Sequence, residues 1–221
     1  MMFYKFSRRI LHLLYPTRCP VCGDFIGCFD NFCKSCTDTL PHYDGDNFVD
    51  GADGLAAAFY YDDNISPAVM LLKDGICGNA AYAMGNALSD SLSGFEFTAD
   101  ADMIIPVPLH RKDRRRRGYN QSELIGRQLS RRLGIPLRSD IIRKIRRTAE
   151  QKSLTLAERK VNLRDAFSVV KPEDVSGKTI ILIDDVCTTG STLAEAASML
   201  KKNGADKVFC AACCKTRSTL L

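Results

Sequence analysis

The sequence predicts an α/β protein built on a mainly parallel β-sheet, and three observations support this fold class. From about residue 54 onward, short apolar segments typical of buried strands alternate with segments whose apolar residues recur at helical spacing. The chain has 221 residues, of which 45% are hydrophobic and 26% charged, so a packed core is expected and extensive disorder is not. No uninterrupted apolar run is longer than that of residues 55–61, which is too short to span a bilayer. These properties exclude fibrous, repeat and membrane-spanning architectures.

The predicted elements alternate along the chain as a parallel sheet requires. A helix is expected after residue 120, because Asn120 can cap it, Glu123 follows three residues later, and Gly134 can end it. The other predicted helices are residues 65–73, 80–92 and 192–203. The predicted strands are residues 55–61, 102–106, 166–170, 178–183 and 207–214.

Three segments are expected along the chain: an N-terminal helix over residues 1–16, a cysteine-rich module over 17–50, and the α/β domain over 51–221. Leu11, Leu14 and Tyr15 lie at helical spacing, which favours a short helix packed through them against the rest of the protein. The N-terminus is basic, but His12 interrupts its short apolar stretch and no small-residue cleavage site follows, so a signal peptide is not expected. We therefore predict a cytoplasmic protein with reduced thiols and no membrane span.

Four of the ten cysteines form two Cys-x-x-Cys pairs, Cys19 with Cys22 and Cys33 with Cys36. Two such pairs facing each other place four thiolates tetrahedrally around Zn²⁺, and metal ligation stabilises a segment too short to bury a core. The sequence thus predicts a structural zinc ribbon, with redox-active or merely buried cysteines as the alternative. Cys28 and His42 are the less favoured ligands.

The segment most indicative of function joins an apolar strand to a helix through a hydroxyl-rich turn. Asp184 and Asp185 follow the strand, at the edge where open α/β sheets bind ligands. Backbone N–H groups and hydroxyls of the turn can point at a phosphate, and the following helix N-terminus adds partial positive charge. A carboxylate pair beside a phosphate-binding turn suits a ribose 5-phosphate group. The turn consists of Val186, Cys187, Thr188, Thr189, Gly190, Ser191 and Thr192.

Other interpretations of this segment are less favoured. A P-loop would use Gly177-Lys178-Thr179, but its earlier glycine falls on Pro172, and the tripeptide precedes a strand rather than a helix. A dinucleotide site would need Gly-x-Gly-x-x-Gly, which is absent. A capped helix with solvated aspartates and no ligand remains the structural alternative.

In its sequence context the turn resembles the signature of type I phosphoribosyltransferases, which bind phosphoribosyl pyrophosphate (PRPP). The whole chain resembles the ComF family (competence protein F, GntX-like), which combines such a domain with an N-terminal zinc ribbon. Besides the cysteine pairs and the acidic turn, the shared features are Pro106-Val107-Pro108-Leu109-His110, Arg117-Gly118-Tyr119-Asn120-Gln121, Arg147-Thr148 with Gln151, and then Arg159, Asn162 and Phe167.

The resemblance implies a role for each of these segments. Asp184 and Asp185 would hold the ribose hydroxyls, and residues 186–192 would hold the 5-phosphate. Mg²⁺ would accompany PRPP, and transfer would take place at ribose C1. Thr188 stands where purine-salvage members have an acidic residue, so the acceptor stays unassigned. The pyrophosphate would face Val107, Pro108, Leu109 and His110, with Arg147, Thr148 and Gln151 in a loop that closes over the site.

The ComF resemblance also implies a role in DNA uptake or nucleotide metabolism. Residues 111–152 contain 15 basic and 4 acidic residues, which fits a rim that attracts pyrophosphate, a contact to nucleic-acid phosphates, or a solvated loop. The alternative function is therefore a non-enzymatic adaptor that binds single-stranded DNA or the helicase and other proteins of the uptake machinery. In that case the sugar-phosphate site would be sensory or vestigial.

Overall fold

A fully parallel, four-stranded sheet forms the centre of the computed structural model, which describes residues 2–74, 79–146, 163 and 165–217. Numbered in chain order, its strands are β1 (Gly54–Tyr60), β2 (Met103–Pro106), β5 (Thr179–Cys187) and β6 (Lys207–Lys215), in the spatial order β1-β6-β5-β2. Both faces of this sheet are covered, which explains why β5 begins with an almost continuous apolar run.

Helices on the two faces of the sheet divide the core into two apolar layers. On one face, α3 (Ser66–Lys73), α4 (Ala80–Leu92) and α6 (Gln121–Leu133) pack against Ile104, Ile181 and Ile183. On the other face, α7 (Ser191–Lys202) packs against Ile105, Ile180 and Leu182. Among the described residues, the remaining helices are α1 (Met2–Leu14), α2 (Lys34–Thr37) and α5 (Arg111–Arg117), with 3-10 turns at Glu96–Thr98 and Pro172–Asp174.

The predicted strand at 166–170 exists but does not belong to the parallel sheet. As β4 (Phe167–Val169) it pairs antiparallel with β3 (Ile142–Lys144), which the sequence analysis missed. Both strands have three residues, too few to show a period. Strand β5 also continues beyond the expected end at Ile183, because Asp184, Val186 and Cys187 pair with β6. The two acidic residues therefore lie within the strand instead of after it.

The N-terminal helix packs differently from the prediction. Leu11, Leu14 and Tyr15 are exposed, so the expectation that they contact the rest of the protein was wrong. The contact is made instead by polar and amphipathic side chains, chief among them Arg8, which donates hydrogen bonds to the carbonyl of Cys28 and to Asn79. Within the described residues, no helix has the length and apolar character needed to cross a membrane.

The cysteine-rich module packs directly against β1 and α4. Tyr43 donates its N–H to the carbonyl of Ala58 at 3.0 Å, and Tyr60 donates to the carbonyl of Pro41 at 2.7 Å. On α4, Asn86 donates a side-chain hydrogen bond to Asn31 at 2.6 Å. Backbone and side-chain hydrogen bonds thus both attach the module to β1 and α4. The proposed boundaries of the module at residues 17 and 50 stay a prediction.

Candidate functional site

A tight turn joins β5 to α7 at the carboxyl edge of the sheet. Gly190 has a φ of +77°, a left-handed conformation that favours glycine. Within the turn, the hydroxyl oxygens of Thr189 and Ser191 lie 2.8 Å apart. The carbonyl of Thr188 accepts hydrogen bonds from Lys215 Nζ at 2.8 Å and Thr216 Oγ1 at 3.1 Å, which fix the turn to the end of β6.

The two carboxylates of β5 stand next to this turn in unequal surroundings. Asp184 Oδ1 accepts hydrogen bonds from Ser122 Oγ and from the N–H of Asp185, both at 2.9 Å. Burial and the neighbouring Asp185 carboxylate raise the pKa of Asp184 to about 8. Asp185 Oδ1 accepts from the N–H of Val186 at 3.0 Å. Its Oδ2 atom is buried without a hydrogen-bond partner among the described residues, and Lys73 Nζ lies 3.8 Å away.

The carboxylates and the turn share one cavity of about 340 Å³. Of the predicted sugar and phosphate residues, only Thr189 is not part of its lining. Sequence reasoning missed Tyr61, Lys73, Leu193 and Thr216, which also line the cavity. Tyr61 and Thr216 directly follow β1 and β6, so the rule that ligands bind at the carboxyl edge of the sheet could have found them. No local signal marked Lys73, because helix α3 brings it to the site from elsewhere in the chain.

The predicted pyrophosphate segment follows β2, the neighbour of β5 in the sheet. Val107 donates its N–H to the carbonyl of Ile183 at 2.8 Å and accepts a hydrogen bond from Asn120 Nδ2 at 2.9 Å. The ring of His110 accepts from the N–H of Lys112 at 3.3 Å and thereby caps α5. Residues 107–110 do not line the cavity. The three remaining predicted pyrophosphate residues, Arg147, Thr148 and Gln151, lie outside the described residues.

The four predicted metal ligands form a compact cluster. The sulfur atoms of Cys19, Cys22, Cys33 and Cys36 all lie within 4.8 Å of one another, and those of Cys22 and Cys33 are 3.5 Å apart. A tetrahedral zinc site with Zn–S bonds of about 2.3 Å requires sulfur separations of about 3.8 Å. A hydrogen bond with Ser35 lowers the pKa of Cys33 to about 6, whereas burial and the neighbouring cysteines raise the pKa of Cys36.

The less favoured ligands, Cys28 and His42, are not part of this cluster. The ring of His42 packs against Phe59 instead, with a centroid distance of 5.4 Å. Among the described residues, the cluster is the group of three or more Cys, His, Asp or Glu side chains close enough together to hold one metal ion. The structure therefore supports the predicted four-cysteine site.

Comparison with known proteins identifies the class of the α/β domain. Residues 120–221 match the family model described as the phosphoribosyl transferase domain. This match, together with the parallel sheet and the acidic turn at its carboxyl edge, confirms the predicted phosphoribosyltransferase fold.

Comparison with curated proteins shows which named relatives this chain resembles. The chain is 42% identical over 108 residues to competence protein F of Haemophilus influenzae, covering 48% of this chain and 47% of that protein. It is 43% identical over 115 residues to the DNA utilization protein YhgH of Escherichia coli K12, covering 52% and 50%. Competence protein ComFC of Bacillus subtilis is 29% identical over 147 residues, covering 57% and 58%. The matches thus span about half the length of these relatives, and the predicted resemblance to the ComF family is confirmed.

Proposed function

We propose that this chain binds PRPP, or another ligand with a ribose 5-phosphate group, together with Mg²⁺, and that it transfers the phosphoribosyl group at ribose C1. The observation that carries this proposal is the cavity of about 340 Å³ in which two carboxylates meet the turn before α7. Its lining combines acceptors for a sugar diol with hydroxyl and amide groups suited to a phosphate.

The ribose end of the ligand is assigned to Asp184 and Asp185. Asp185 Oδ2 is a buried acceptor without a hydrogen-bond partner, and a ribose hydroxyl would satisfy it. The 5-phosphate is assigned to residues 186–192, whose turn leads into the N-terminus of α7. Lys73 adds a cation to the cavity wall that attracts an anionic ligand.

Mg²⁺ also suits this cavity, because the cation prefers oxygen ligands and the two carboxylates supply them. When bound, Mg²⁺ neutralises negative charge on the diphosphate. Residues 107–110, with Arg147, Thr148 and Gln151, are assigned to the diphosphate. In the transfer step, the C1–O bond breaks with its electron pair leaving on pyrophosphate, and the acceptor, whose class stays open, bonds to C1 and releases a proton. Positive side chains favour this step because the leaving group is highly charged.

The names of the relatives support a cellular role in DNA uptake, since competence protein F and the DNA utilization protein YhgH are named for competence and for the use of DNA. A role in nucleotide metabolism stays a prediction. Zinc is the metal assigned to the four cysteines, because tetrahedral sulfur sites in this arrangement are typical of structural zinc. The cytoplasmic location stays a prediction.

The surface of α5 favours a second candidate, a non-enzymatic adaptor that binds single-stranded DNA or proteins of the uptake machinery. This helix directly follows the proposed diphosphate segment and presents five exposed cations. Its exposed basic residues are Arg111, Lys112, Arg114, Arg115 and Arg116. Basic side chains of this kind can bind the phosphates of a nucleic acid, but such contacts do not distinguish one base sequence from another.

Titration calorimetry with PRPP, with and without MgCl₂, tests the first proposal. We expect binding by the unaltered chain, and a loss of about a hundredfold in Asp184→Asn/Asp185→Asn because charge-assisted hydrogen bonds to the ribose are lost. Asp206→Asn, an exposed change elsewhere, should bind normally. No binding by the unaltered chain would exclude the phosphoribosyl site.

Fluorescence anisotropy with labelled single-stranded DNA separates the two candidates. An adaptor should bind DNA with strong salt dependence and lose affinity in Arg115→Glu, while the Asp184→Asn/Asp185→Asn variant binds normally. DNA binding without PRPP binding would favour the adaptor, and the reverse result would favour the enzyme.

A further inference from the structure

Helix α1 contacts the rest of the protein through its polar side. Tyr4, Arg8 and His12 lie four residues apart and therefore on one stripe, and all three are partly buried. The guanidinium of Arg8 stacks on the ring of Tyr82 at 3.5 Å from its centroid. His12 Nδ1 accepts a hydrogen bond from the N–H of Thr17 at 3.0 Å. This arrangement reverses the usual one, in which an amphipathic helix buries its apolar face.

The opposite side of α1 is apolar and exposed to solvent. Phe6 is 63% exposed, Leu13 81% and Leu14 70%, and Ile10 between them is also exposed. At 100° per residue these four side chains fall within roughly a third of the helix circumference. They project from a single helix and form a convex apolar ridge rather than a groove. Monomeric soluble proteins rarely expose such a contiguous apolar surface without a partner.

The charged side chains of α1 are all basic, and the exposed Arg9 lies beside this ridge. The sequence of α1 contains Lys5, Arg8, Arg9 and His12 and no acidic residue. Arg9 is exposed, and the exposed Arg131 of α6 stacks on the ring of Tyr4 at 4.5 Å. An apolar ridge flanked by cations is typical of helices that lie in the interface of anionic membranes.

A second aromatic and cation pair lies at the end of α1. The exposed Arg18 lines the same surface cavity as Leu11 and Tyr15, and its guanidinium stacks on the exposed ring of Phe25 at 4.1 Å from its centroid. Rings next to arginines suit the boundary between acyl chains and headgroups.

We propose that α1 binds the surface of an anionic lipid bilayer, with Phe6, Ile10, Leu13 and Leu14 inserted at the headgroup boundary. The flanking arginines would contact the anionic headgroups. Charge selects the bilayer over a second copy of the chain, because α1 contains basic residues and no acidic residue, so a second α1 would offer no opposite charge. The convex shape agrees with a soft planar partner, into which projecting side chains can insert.

Co-sedimentation of the full chain with vesicles tests this inference. We expect binding to phosphatidylcholine vesicles that contain phosphatidylglycerol, and about tenfold or more weaker binding in Phe6→Glu/Leu13→Glu, because both side chains would be inserted. Phe48→Glu is the matched control, since Phe48 is 70% exposed but lies outside α1, and it should bind normally. All variants should keep the thermal unfolding midpoint, because the altered residues are exposed.

Three results would overturn the proposal. Sedimentation with neutral phosphatidylcholine vesicles as strong as with anionic ones would exclude the role of charge. Equal binding by Phe6→Glu/Leu13→Glu and the unaltered chain would place the contact on another surface, such as α5. A dimer in light scattering that Leu13→Glu converts to a monomer, without vesicle binding, would identify a second copy as the occupant.

Discussion

At the scale of single residues, the candidate site brings two carboxylates and one ammonium group into a confined space. Asp184 accepts two hydrogen bonds and has a raised pKa, whereas Asp185 has a buried oxygen without a hydrogen-bond donor, 3.8 Å from Lys73 Nζ. Adjacent carboxylates repel each other, so the site without its ligand is electrostatically unfavourable. A ligand that supplies hydroxyl donors relieves this cost, which links the stability of the protein to binding.

The first residue-scale prediction concerns the pH dependence of stability. The pKa of Asp184 is raised from 3.8 to about 8 in the folded protein, so its protonated form is favoured there. The stabilisation that this raised pKa gives the folded protein is complete at pH below 3.8 and is lost as the pH rises through about 8. Asp184→Asn keeps the acceptor oxygen and removes the charge. We expect the variant to gain about 1–3 kcal/mol relative to the unaltered chain between pH 5 and pH 9, measured by urea unfolding without ligand.

Asp102→Asn provides the contrast for this measurement. The N–H of Thr179 and the ammonium of Lys178 lower the pKa of Asp102, so its contribution is present above pH 3.8 and is lost in acid. Asp102→Asn should therefore destabilise the protein at neutral pH. The absence of any pH-dependent gain in Asp184→Asn would mean that Asp184 is ionised without penalty.

The second residue-scale prediction concerns Lys73, which is 37% exposed at the cavity wall. Lys73→Met should weaken PRPP binding about tenfold, since one charge-assisted contact to an anionic ligand is lost. Lys73→Arg keeps the charge and should retain most of the affinity. The exposed Lys207→Met serves as control in the same calorimetric titration. Unchanged affinity in Lys73→Met would show that the ligand does not reach this wall.

At the scale of elements, the N-terminus of α6 joins two strand ends. Asn120 caps the helix by accepting a hydrogen bond from the N–H of Ser122 at 3.2 Å, and it also donates to the carbonyl of Val107. Two residues later, Ser122 donates to Asp184. A single helix start thus connects the segment after β2 with the acidic part of β5. Glu123 does not complete a capping box. Its carboxylate pairs with Arg114 at 3.1 Å and Arg127 at 2.7 Å.

Substitution of Asn120 tests how much this connection contributes to the stability of the fold. Asn120→Ala loses the cap and leaves the buried carbonyl of Val107 without its donor, so we expect a loss of about 2 kcal/mol in unfolding free energy by urea denaturation. Asn64→Ala removes an exposed asparagine and should change stability by less than about 0.5 kcal/mol. Equal effects of the two substitutions would contradict the connecting role of Asn120.

At the scale of the whole molecule, a buried chain of amides links the cysteine module to two helices of the domain. Asn86 on α4 donates to Asn31 of the module and accepts from Gln128 Nε2 of α6 at 2.7 Å. Each of these side-chain amides keeps its hydrogen bonds to the others only while the others stay in position. The folded state of the module therefore contributes to the packing of α4 against α6.

Loss of the metal should consequently lower the stability of the whole chain and not only that of the cysteine-rich module. Cys36→Ser should reduce bound zinc from about one equivalent to near zero and lower the thermal unfolding midpoint of the whole chain by several degrees. Cys28→Ser, outside the cluster, should keep both values. Metal analysis and calorimetry of protein purified without chelator measure the two quantities. A zinc-free unaltered protein, or zinc loss in Cys28→Ser, would contradict the assignment.

Much of this protein was predictable from local sequence. The apolar run of β5, the acidic pair, the hydroxyl-rich turn and the two Cys-x-x-Cys pairs each place their chemistry within a few residues, so spacing alone determined where a sugar phosphate and a metal ion are expected. Long-range packing decided the rest. Lys73, Tyr61 and Thr216 reach the cavity from three other elements, β4 pairs with β3 outside the main sheet, and α1 turns its apolar side to solvent. Sequence periodicity shows that a helix has an apolar face, but only contacts with the rest of the chain decide which way that face points.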